Sequence, residues 1–213
     1  LRWFHRAAAA VLVGTPSMQA ALEKHGFGNI QIWTKGVDTE LFNPAKRDAA
    51  FSERRPVFLY VGRVAVEKNI EAFLKLKLPG RRIVVGDGPS RAHLEAGYPD
   101  AEFVGPLQGE ELARYFASAD VFVFPSRTDT FGLVMLEALA SGTPVAAFPV
   151  MGPIDVIGDS PVGVLSDDLG VAAIGALDIS RDACRTYAEN FSWSASTDQF
   201  LANLPPSKRR RTQ

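Results

Sequence analysis

The sequence is poor in cysteine and histidine and has almost no excess of either charge, and each shortage excludes a class of protein. Cys184 is the only cysteine among the 213 residues, which excludes an internal disulfide framework and favours a reducing compartment. The three histidines are scattered without the spacing of metal ligands, so we expect no metal site. The formal net charge of -1 lacks the basic excess of a nucleic-acid-binding domain, so we expect no nucleic acid partner.

Long apolar runs are also absent. Residues 7–13, AAAAVLV, are far too few to span a membrane, and the N-terminus lacks the basic-then-apolar layout of a signal peptide. We therefore expect a cytoplasmic protein. Hydrophobic residues make up 46% of the chain and charged residues 22%, which is the balance of a globular protein with a sizeable core.

From residue 56 onward, short apolar runs alternate with helical patterns. The strand-like runs are PVFLYVG, RRIVVG, AEFVG, DVFVFP, TPVAAF and, at residues 162–166, VGVLS. Between them, GEELARYFASA places Leu112, Phe116 and Ala119 on one face of a helix, whereas DVFVFP is apolar throughout, as in a strand covered on both faces. This rhythm predicts an α/β fold, a Rossmann-like parallel sheet with helices on both faces.

The sequence before residue 56 contains a strand-like AAVLVG, a helix opened by Thr15 and Pro16, and a strand-like NIQIW. This piece has too little apolar material to be a domain alone, so we interpret it as the last βαβ unit of a preceding domain. The predicted divisions are the end of that domain at 1–42, a linker at 43–55, the Rossmann-like domain at 56–192, a C-terminal helix at 193–205 and a disordered basic tail at 206–213. We expect the tail to be solvated, and contact with an anionic membrane surface is the alternative.

The loops that follow the strands hold the first candidate site residues, because open parallel sheets bind ligands beyond the carboxyl ends of their strands. Arg63 and Lys68 follow PVFLYVG, and two cations beside a glycine turn can hold a diphosphate; the alternative is that both only solvate the loop. The turn GDGP, residues 86–89, is not a full dinucleotide fingerprint, because Arg91 stands where the third glycine would be. In GPLQG, residues 105–109, glycine and proline allow a ligand ring close to the backbone.

The stretch TDTFGLVMLE, residues 128–137, places Asp129 in a polar turn and Glu137 inside an apolar run. We expect a helix to begin at Gly132, and the first amides of a helix point outward with partial positive charge and no partner inside the helix. The amides of residues 131–134 would then form an anion site. Glu137 would be costly to bury without donors, which a sugar diol would supply; a structural arginine or solvent is the alternative.

The ordered set of these motifs is similar to a known family. GRVAVEKN, VVGDGP, VGPL and ADVFVFPSRTDTFG, followed by EALASGTPV, resemble the retaining GT-B glycosyltransferases of family four, the glycosyl transferases group 1. KGVDTELFNP, residues 35–44, is similar to the family's linker segment. The resemblance covers most of residues 36–147 and implies the C-terminal, donor-binding half of a GT-B fold, preceded by the end of the acceptor-binding domain.

The resemblance also implies roles for individual residues. Arg63 and Lys68 would bind the donor diphosphate and stabilise its charge as the glycosidic bond breaks. Asp129 would stand at the sugar, where family members usually have the longer glutamate, and Glu137 would hold the ribose hydroxyls. The other implied donor-binding residues are Gly62, Gly86, Asp87, Gly88, Leu107, Thr130, Phe131, Gly132, Leu133 and Val134.

We therefore expect a retaining hexosyltransferase that moves a hexose from a GDP- or UDP-linked sugar to a lipid or glycan acceptor without a cofactor. The TDTFG form resembles members that use GDP-mannose or build membrane glycolipids, so peripheral contact with the inner membrane face is a further expectation. Two alternatives stay open. One is a non-catalytic nucleotide-sugar-binding module, a truncated fragment that lacks the acceptor site, and the other is a nucleotide-sugar epimerase.

Overall fold

The computed structural model describes residues 2–204, so the predicted basic tail at 206–213 lies outside the described residues. The strands are β1 (Val11–Val13), β2 (Ile30–Ile32), β3 (Val57–Val61), β4 (Arg81–Val85), β5 (Ala101–Gly105), β6 (Val121–Phe124), β7 (Val145–Ala147) and β8 (Gly163–Leu165). The α-helices are α1 (Arg2–His5), α2 (Pro16–Lys24), α3 (Ile70–Leu74), α4 (Arg91–Gly97), α5 (Gly109–Ser118), α6 (Leu133–Ala140), α7 (Pro153–Val156), α8 (Leu169–Gly175), α9 (Arg181–Glu189) and α10 (Trp193–Ala202). Short 3₁₀ turns cover Pro44–Lys46, Ala49–Phe51, Val66–Lys68 and Ala176–Asp178.

Strands β3 to β8 form one parallel sheet in the order β5-β4-β3-β6-β7-β8. The chain enters at β3, runs outward through β4 and β5, returns to β6 beside β3, and runs outward again to β8. In a doubly wound sheet of this order, the direction in which successive strands are added reverses between the first and fourth strands, here β3 and β6. Ligands bind beyond the carboxyl ends of these two strands. The prediction of a Rossmann-like parallel sheet, with VGVLS supplying the sixth strand, is confirmed.

The core lies on both faces of this sheet, which explains why its strands are apolar throughout. Phe58 and Leu59 are neighbours on β3 and belong to different core clusters, because successive side chains of a strand point to opposite faces. All four residues of β6 are buried. On α5, Phe116 is fully buried and Leu112 packs against the same cluster, as the predicted helical stripe requires. No helix in residues 2–204 combines the length and the hydrophobicity that crossing a bilayer would take.

The segment before residue 56 forms a separate two-stranded parallel sheet, β1 and β2, with α2 between the strands. Thr15 begins α2, because its Oγ1 accepts a hydrogen bond from the N–H of Met18 at 3.2 Å, and Pro16 opens the first turn. The N–H of Ser17 in that turn donates to Oδ1 of Asp155 at 2.9 Å, which joins α2 to α7, the helix after β7. The predicted strands and helix are present, and the division of the chain into domains stays a prediction.

Candidate active site

A cavity of about 390 Å³ opens at the carboxyl ends of β3 and β6, where the strand order reverses. The lining residues are Lys35, Tyr60, Val61, Gly62, Arg63, Lys68, Phe124, Ser126, Asp129, Thr130, Phe131, Gly132, Leu133 and Val134. The structure therefore brings three of the four predicted catalytic residues into one cavity, together with most of the predicted donor-binding residues. The predicted residues outside this lining are Gly86, Asp87, Gly88, Leu107 and Glu137.

The loops after β3 and β6 meet in an ion pair between Lys68 and Asp129. Lys68 Nζ lies 2.6 Å from Asp129 Oδ1, and the two side chains are 30% and 22% exposed. At this depth the pair is screened less by solvent than a surface ion pair. Asp129 Oδ2 is buried and has no hydrogen-bond partner in the described part of the chain. The second oxygen therefore lacks a donor, and a ligand hydroxyl would reach it once the Asp129 side chain turned toward the cavity.

Arg63 pairs only within its own loop. Its Nη1 lies 3.2 Å from Oε1 of Glu67, and both side chains are more than half exposed. Exposed pairs of this kind contribute at most about 1 kcal/mol to stability. The guanidinium can therefore exchange Glu67 for an anion in the cavity at little cost.

Two further hydrogen bonds join the same loops, and sequence reasoning missed both. Asn69 Nδ2 donates to the carbonyl oxygen of Pro125 at 3.0 Å, and Thr128 Oγ1 donates to the carbonyl oxygen of Glu67 at 3.3 Å. Asn69 has a left-handed φ of +52°, which ends the 3₁₀ turn that carries Lys68. Asparagine is one of the few non-glycine residues that adopts this conformation readily. The pair Lys-Asn in GRVAVEKN, after a single glycine at the end of β3, is the sequence signal for this role.

Tyr60 closes the inner side of the cavity. Its hydroxyl donates to the carbonyl oxygen of Arg63 at 2.8 Å, which holds the loop after β3 against the end of the strand. Burial raises the pKa of the Tyr60 phenol well above its usual value, and the nearby carboxylates of Asp129 and Glu67 raise it further. Tyr60 is therefore a neutral hydrogen-bond donor at physiological pH.

Helix α6 begins at the cavity, as predicted, with Gly132 as the residue before its first turn. Gly132 has a φ of +76°, and a Cβ there would lie 2.6 Å from Cε of Met135 and 3.2 Å from Cζ of Phe124. Glycine is therefore required by the backbone conformation and by the packing. Among the described residues, the backbone N–H groups of residues 131–134 donate to no backbone carbonyl or side chain. Residues 131–134 line the cavity, so these four donors can bind an anion there.

Glu137 lies one turn further along α6 than Leu133 and Val134, outside the lining of the cavity. Burial raises the pKa of the Glu137 carboxyl to about 7. Its side chain has neither an ion pair nor a hydrogen bond with any described residue, so the structural arginine considered as an alternative is not found there. The helix thus places a half-buried acid without donors next to the cavity.

The glycine turn after β4 packs directly on the loop after β3. A Cβ at Gly86 would collide with the carbonyl oxygen of Gly62, and a Cβ at Gly88 would collide with that of Val64. Close packing of two backbones therefore accounts for these glycines, whether or not a ligand binds. Leu107, after β5, is half-buried and packs against the core. Both turns lie at the same edge of the sheet as the cavity, beside its lining.

Lys35 lines the cavity, although sequence reasoning did not select it. It precedes β3 along the chain, in the segment KGVDTELFNP, and no strand-end rule connects such a residue with the sheet. Its side chain forms no ion pair with any residue of the described part of the chain. A third cation therefore faces the cavity, next to Arg63 and Lys68.

Comparison with known proteins identifies the family. The model of the family described as "Glycosyl transferases group 1" matches residues 55–177. Sulfoquinovosyl transferase SQD2 of Arabidopsis thaliana is 41% identical over 76% of this chain and 35% of its own length. A GDP-mannose-dependent alpha-mannosyltransferase of Mycobacterium tuberculosis is 34% identical over 99% of this chain and 61% of its own length. The chain thus spans only part of the curated relatives that it matches.

Solved structures agree with this assignment. Sucrose-phosphate synthase from Thermosynechococcus elongatus superposes with a TM-score of 0.77 at 28% identity, over 91% of this chain and 57% of that protein. Anabaena HepE, solved in complex with UDP, superposes with a TM-score of 0.79 over 94% of this chain and 65% of that protein; at 18% identity it supports the fold alone. The predicted family and GT-B type of fold are confirmed: the chain belongs to the glycosyl transferases group 1.

Proposed function

We propose that the chain supplies the donor-binding half of a retaining glycosyltransferase, which moves a hexose from a nucleoside-diphosphate sugar to a lipid or glycan acceptor. The observation that carries this proposal is the shared cavity at the point where the strand order reverses. It combines the cations Arg63 and Lys68, the free amides of residues 131–134 and the acceptor oxygen of Asp129. These are the groups that a sugar diphosphate needs: positive charge for the phosphates and an acceptor for sugar hydroxyls.

In the proposed reaction, the bond between the sugar carbon and the diphosphate oxygen breaks, and negative charge builds up on the leaving diphosphate. The acceptor hydroxyl oxygen bonds to the same carbon and gives its proton to the diphosphate. Lys68, held by Asp129, and the amides at the start of α6 are already oriented before the reaction begins and stabilise that charge, and Arg63 joins them when it exchanges Glu67 for a phosphate. Lys68 stays between the phosphate and Asp129, so it gains the phosphate without losing its carboxylate partner. The Asp129 side chain turns so that Oδ2, which is buried in the free protein, accepts a hydrogen bond from a hydroxyl of the transferred hexose.

The nucleoside lies beyond this centre. Glu137 accepts hydrogen bonds from the two ribose hydroxyls, which supply the donors that its side chain lacks in the free protein. Gly86, Asp87, Gly88 and Leu107 lie at the ends of β4 and β5, at the same edge of the sheet, and pack against the base through their backbone. A GDP- or UDP-linked donor is consistent with the mannosyltransferase relative, which is GDP-mannose-dependent, and with the structural neighbour HepE, which was solved with UDP.

A thermal-shift screen of GDP-, UDP- and ADP-linked sugars tests this proposal. A ligand that binds only the folded state raises its stability in proportion to the logarithm of ligand concentration over Kd. We expect one nucleotide series to raise the melting temperature and Lys68→Ala to abolish most of that shift. If no sugar nucleotide stabilises the protein at millimolar concentration, the proposed function is wrong. Conversion of the donor to its epimer without an acceptor, followed by NMR, would instead indicate the epimerase.

A further inference from the structure

The segment that carries Lys35 is fixed on helix α10. Trp33 Nε1 donates to the carbonyl oxygen of Ser196 at 3.1 Å, and Ser196 Oγ donates to the carbonyl oxygen of Thr34 at 2.7 Å. Both the N–H and the hydroxyl of Thr34 donate to Gln199 Oε1 at 2.9 Å. Residues 33–34 are therefore bound to α10 immediately before Lys35.

The same segment is fixed on the other side of Lys35. The N–H of Val37 donates to the carbonyl oxygen of Phe191 at 2.8 Å, and Val37 forms a parallel bridge with Ser192. Gly36 lies so close to α10 that a Cβ there would be 2.8 Å from Cα of Trp193. With both neighbours held, the backbone of Lys35 has little freedom, and the side chain is presented at the cavity.

The charge of the cavity indicates what Lys35 binds. Lys68 is paired with Asp129 and Arg63 with Glu67, whereas Lys35 has no ion-pair partner among residues 2–204. The lining itself contains three cations and one carboxylate, an excess of two positive charges once Arg63 has exchanged Glu67, which lies outside the lining, for a ligand. The two ionised phosphates of a sugar nucleotide would balance that excess.

We infer that Lys35 is a further phosphate-binding residue, which contacts the diphosphate of the donor from the segment upstream of the sheet. The inference rests on the proposed function, because it assigns a ligand to the same cavity. Gln199 acts as a positioning residue, since its amide oxygen accepts both hydrogen bonds from Thr34. Loss of the contact between residues 33–37 and α10 should therefore weaken phosphate binding.

Titration calorimetry with GDP, UDP, guanosine and uridine tests the role of Lys35. We expect Lys35→Ala to weaken binding of the preferred nucleoside diphosphate about tenfold, the loss of one charge-assisted hydrogen bond, and to leave binding of its nucleoside unchanged. Lys35→Arg should retain most of the affinity. The matched control is Lys77→Ala, which removes an exposed cation at the opposite end of the strands, before β4.

The failures of the two proposals can be told apart. If the unaltered protein binds neither GDP nor UDP, the proposed function fails and this inference fails with it. If it binds one of them and Lys35→Ala binds as tightly as Lys77→Ala, only the inference about Lys35 is wrong.

A double-mutant cycle tests the positioning role of Gln199. We expect Gln199→Ala to weaken diphosphate binding about threefold in the unaltered background and to have no further effect when Lys35 is already alanine. The same threefold loss in both backgrounds would show that Gln199 acts through general stability, and would overturn its connection with Lys35.

Discussion

Lys68 Nζ lies 2.6 Å from Asp129 Oδ1, although the two residues are 61 positions apart in the sequence. The strand order explains their meeting, because β3 and β6 are adjacent at the centre of the sheet and both loops emerge at the same edge. The pair fixes the cation of one loop against the acid of the other before any ligand arrives. It also determines how the cavity should respond when one partner is removed.

Asp129→Asn should separate phosphate binding from sugar binding. Removal of the carboxylate makes the cavity more positive and releases Lys68, so we expect free UDP or GDP to bind about three to tenfold more tightly. The corresponding sugar nucleotide should gain less or lose affinity, because the acceptor proposed for its hydroxyl is weakened. Calorimetry with both ligands measures the difference. Asp100→Asn, at the opposite end of the sheet before β5, is the control for net charge. If Asp129→Asn changes the affinity for both ligands by the same factor, the proposed role of Asp129 is contradicted.

Glu137→Gln should remove a pH dependence of stability. Burial raises the pKa of Glu137 to about 7 from 4.5, so between these values the folded protein holds a proton that the unfolded chain has released. The contribution of this group therefore falls as pH rises from 4.5 to 7, by an amount on the order of 3 kcal/mol. We expect Glu137→Gln to match the unaltered protein near pH 4.5 and to be more stable at pH 8.

Thermal unfolding at both pH values measures this effect. Glu23→Gln is the matched control, since Glu23 is an exposed acid on α2 without an ion pair to any residue in 2–204. It should leave the pH profile unchanged. If Glu137→Gln and the unaltered protein keep the same profile up to pH 8, Glu137 is not the isolated acid that the structure indicates.

Donor binding should release a proton from Glu137. Ribose hydroxyls that donate to the carboxylate stabilise its charged form and lower its pKa, so at about pH 6.5 a fraction of a proton should leave on binding. Calorimetry in two buffers of different ionisation enthalpy detects that release. A sugar nucleotide is the suitable ligand, because its esterified phosphates do not titrate in this range. Glu137→Gln should bind without proton release, and identical heats for the unaltered protein in both buffers would argue against the contact with ribose.

Much of this fold could be predicted from the sequence, because a buried parallel strand has a local signature. VFVF and VFLYV are apolar at every position, since both faces of each strand are covered. The rule that ligands bind at the carboxyl ends of strands selected Arg63, Lys68 and Asp129 without knowledge of the strand order. The start of α6 was also predictable, because Gly132 precedes an apolar helical run. Each of these inferences depends on residues that are close together in the sequence.

The rest of the site depends on contacts between distant segments, which have no such signature. Nothing near Lys35 indicates that residues 33–37 lie on α10, and nothing near Asn69 indicates that its side chain reaches Pro125. At Gly86 and Gly88, where glycine suggested a ligand, contact with the donor stays a prediction, and the glycines have a second explanation. Packing against the loop after β3 is a sufficient reason for both.

Asn69 offers a test of whether the joined loops matter for binding as well as for stability. Asn69→Ala loses the hydrogen bond to Pro125 and replaces asparagine, which tolerates the left-handed region, with alanine, which does not, so we expect a loss of about 2 kcal/mol in the free energy of unfolding. Asn69→Gly loses only the hydrogen bond and should cost about 1 kcal/mol.

Both Asn69 variants should weaken binding of a nucleoside diphosphate several-fold, because Lys68 is the preceding residue. Asn29 also has a left-handed φ, of +55°, and lies outside the lining of the cavity, so Asn29→Ala should lower stability without changing affinity. If calorimetry well below the melting temperature of Asn69→Gly shows unchanged affinity, Asn69 contributes to the stability of the fold and not to ligand binding.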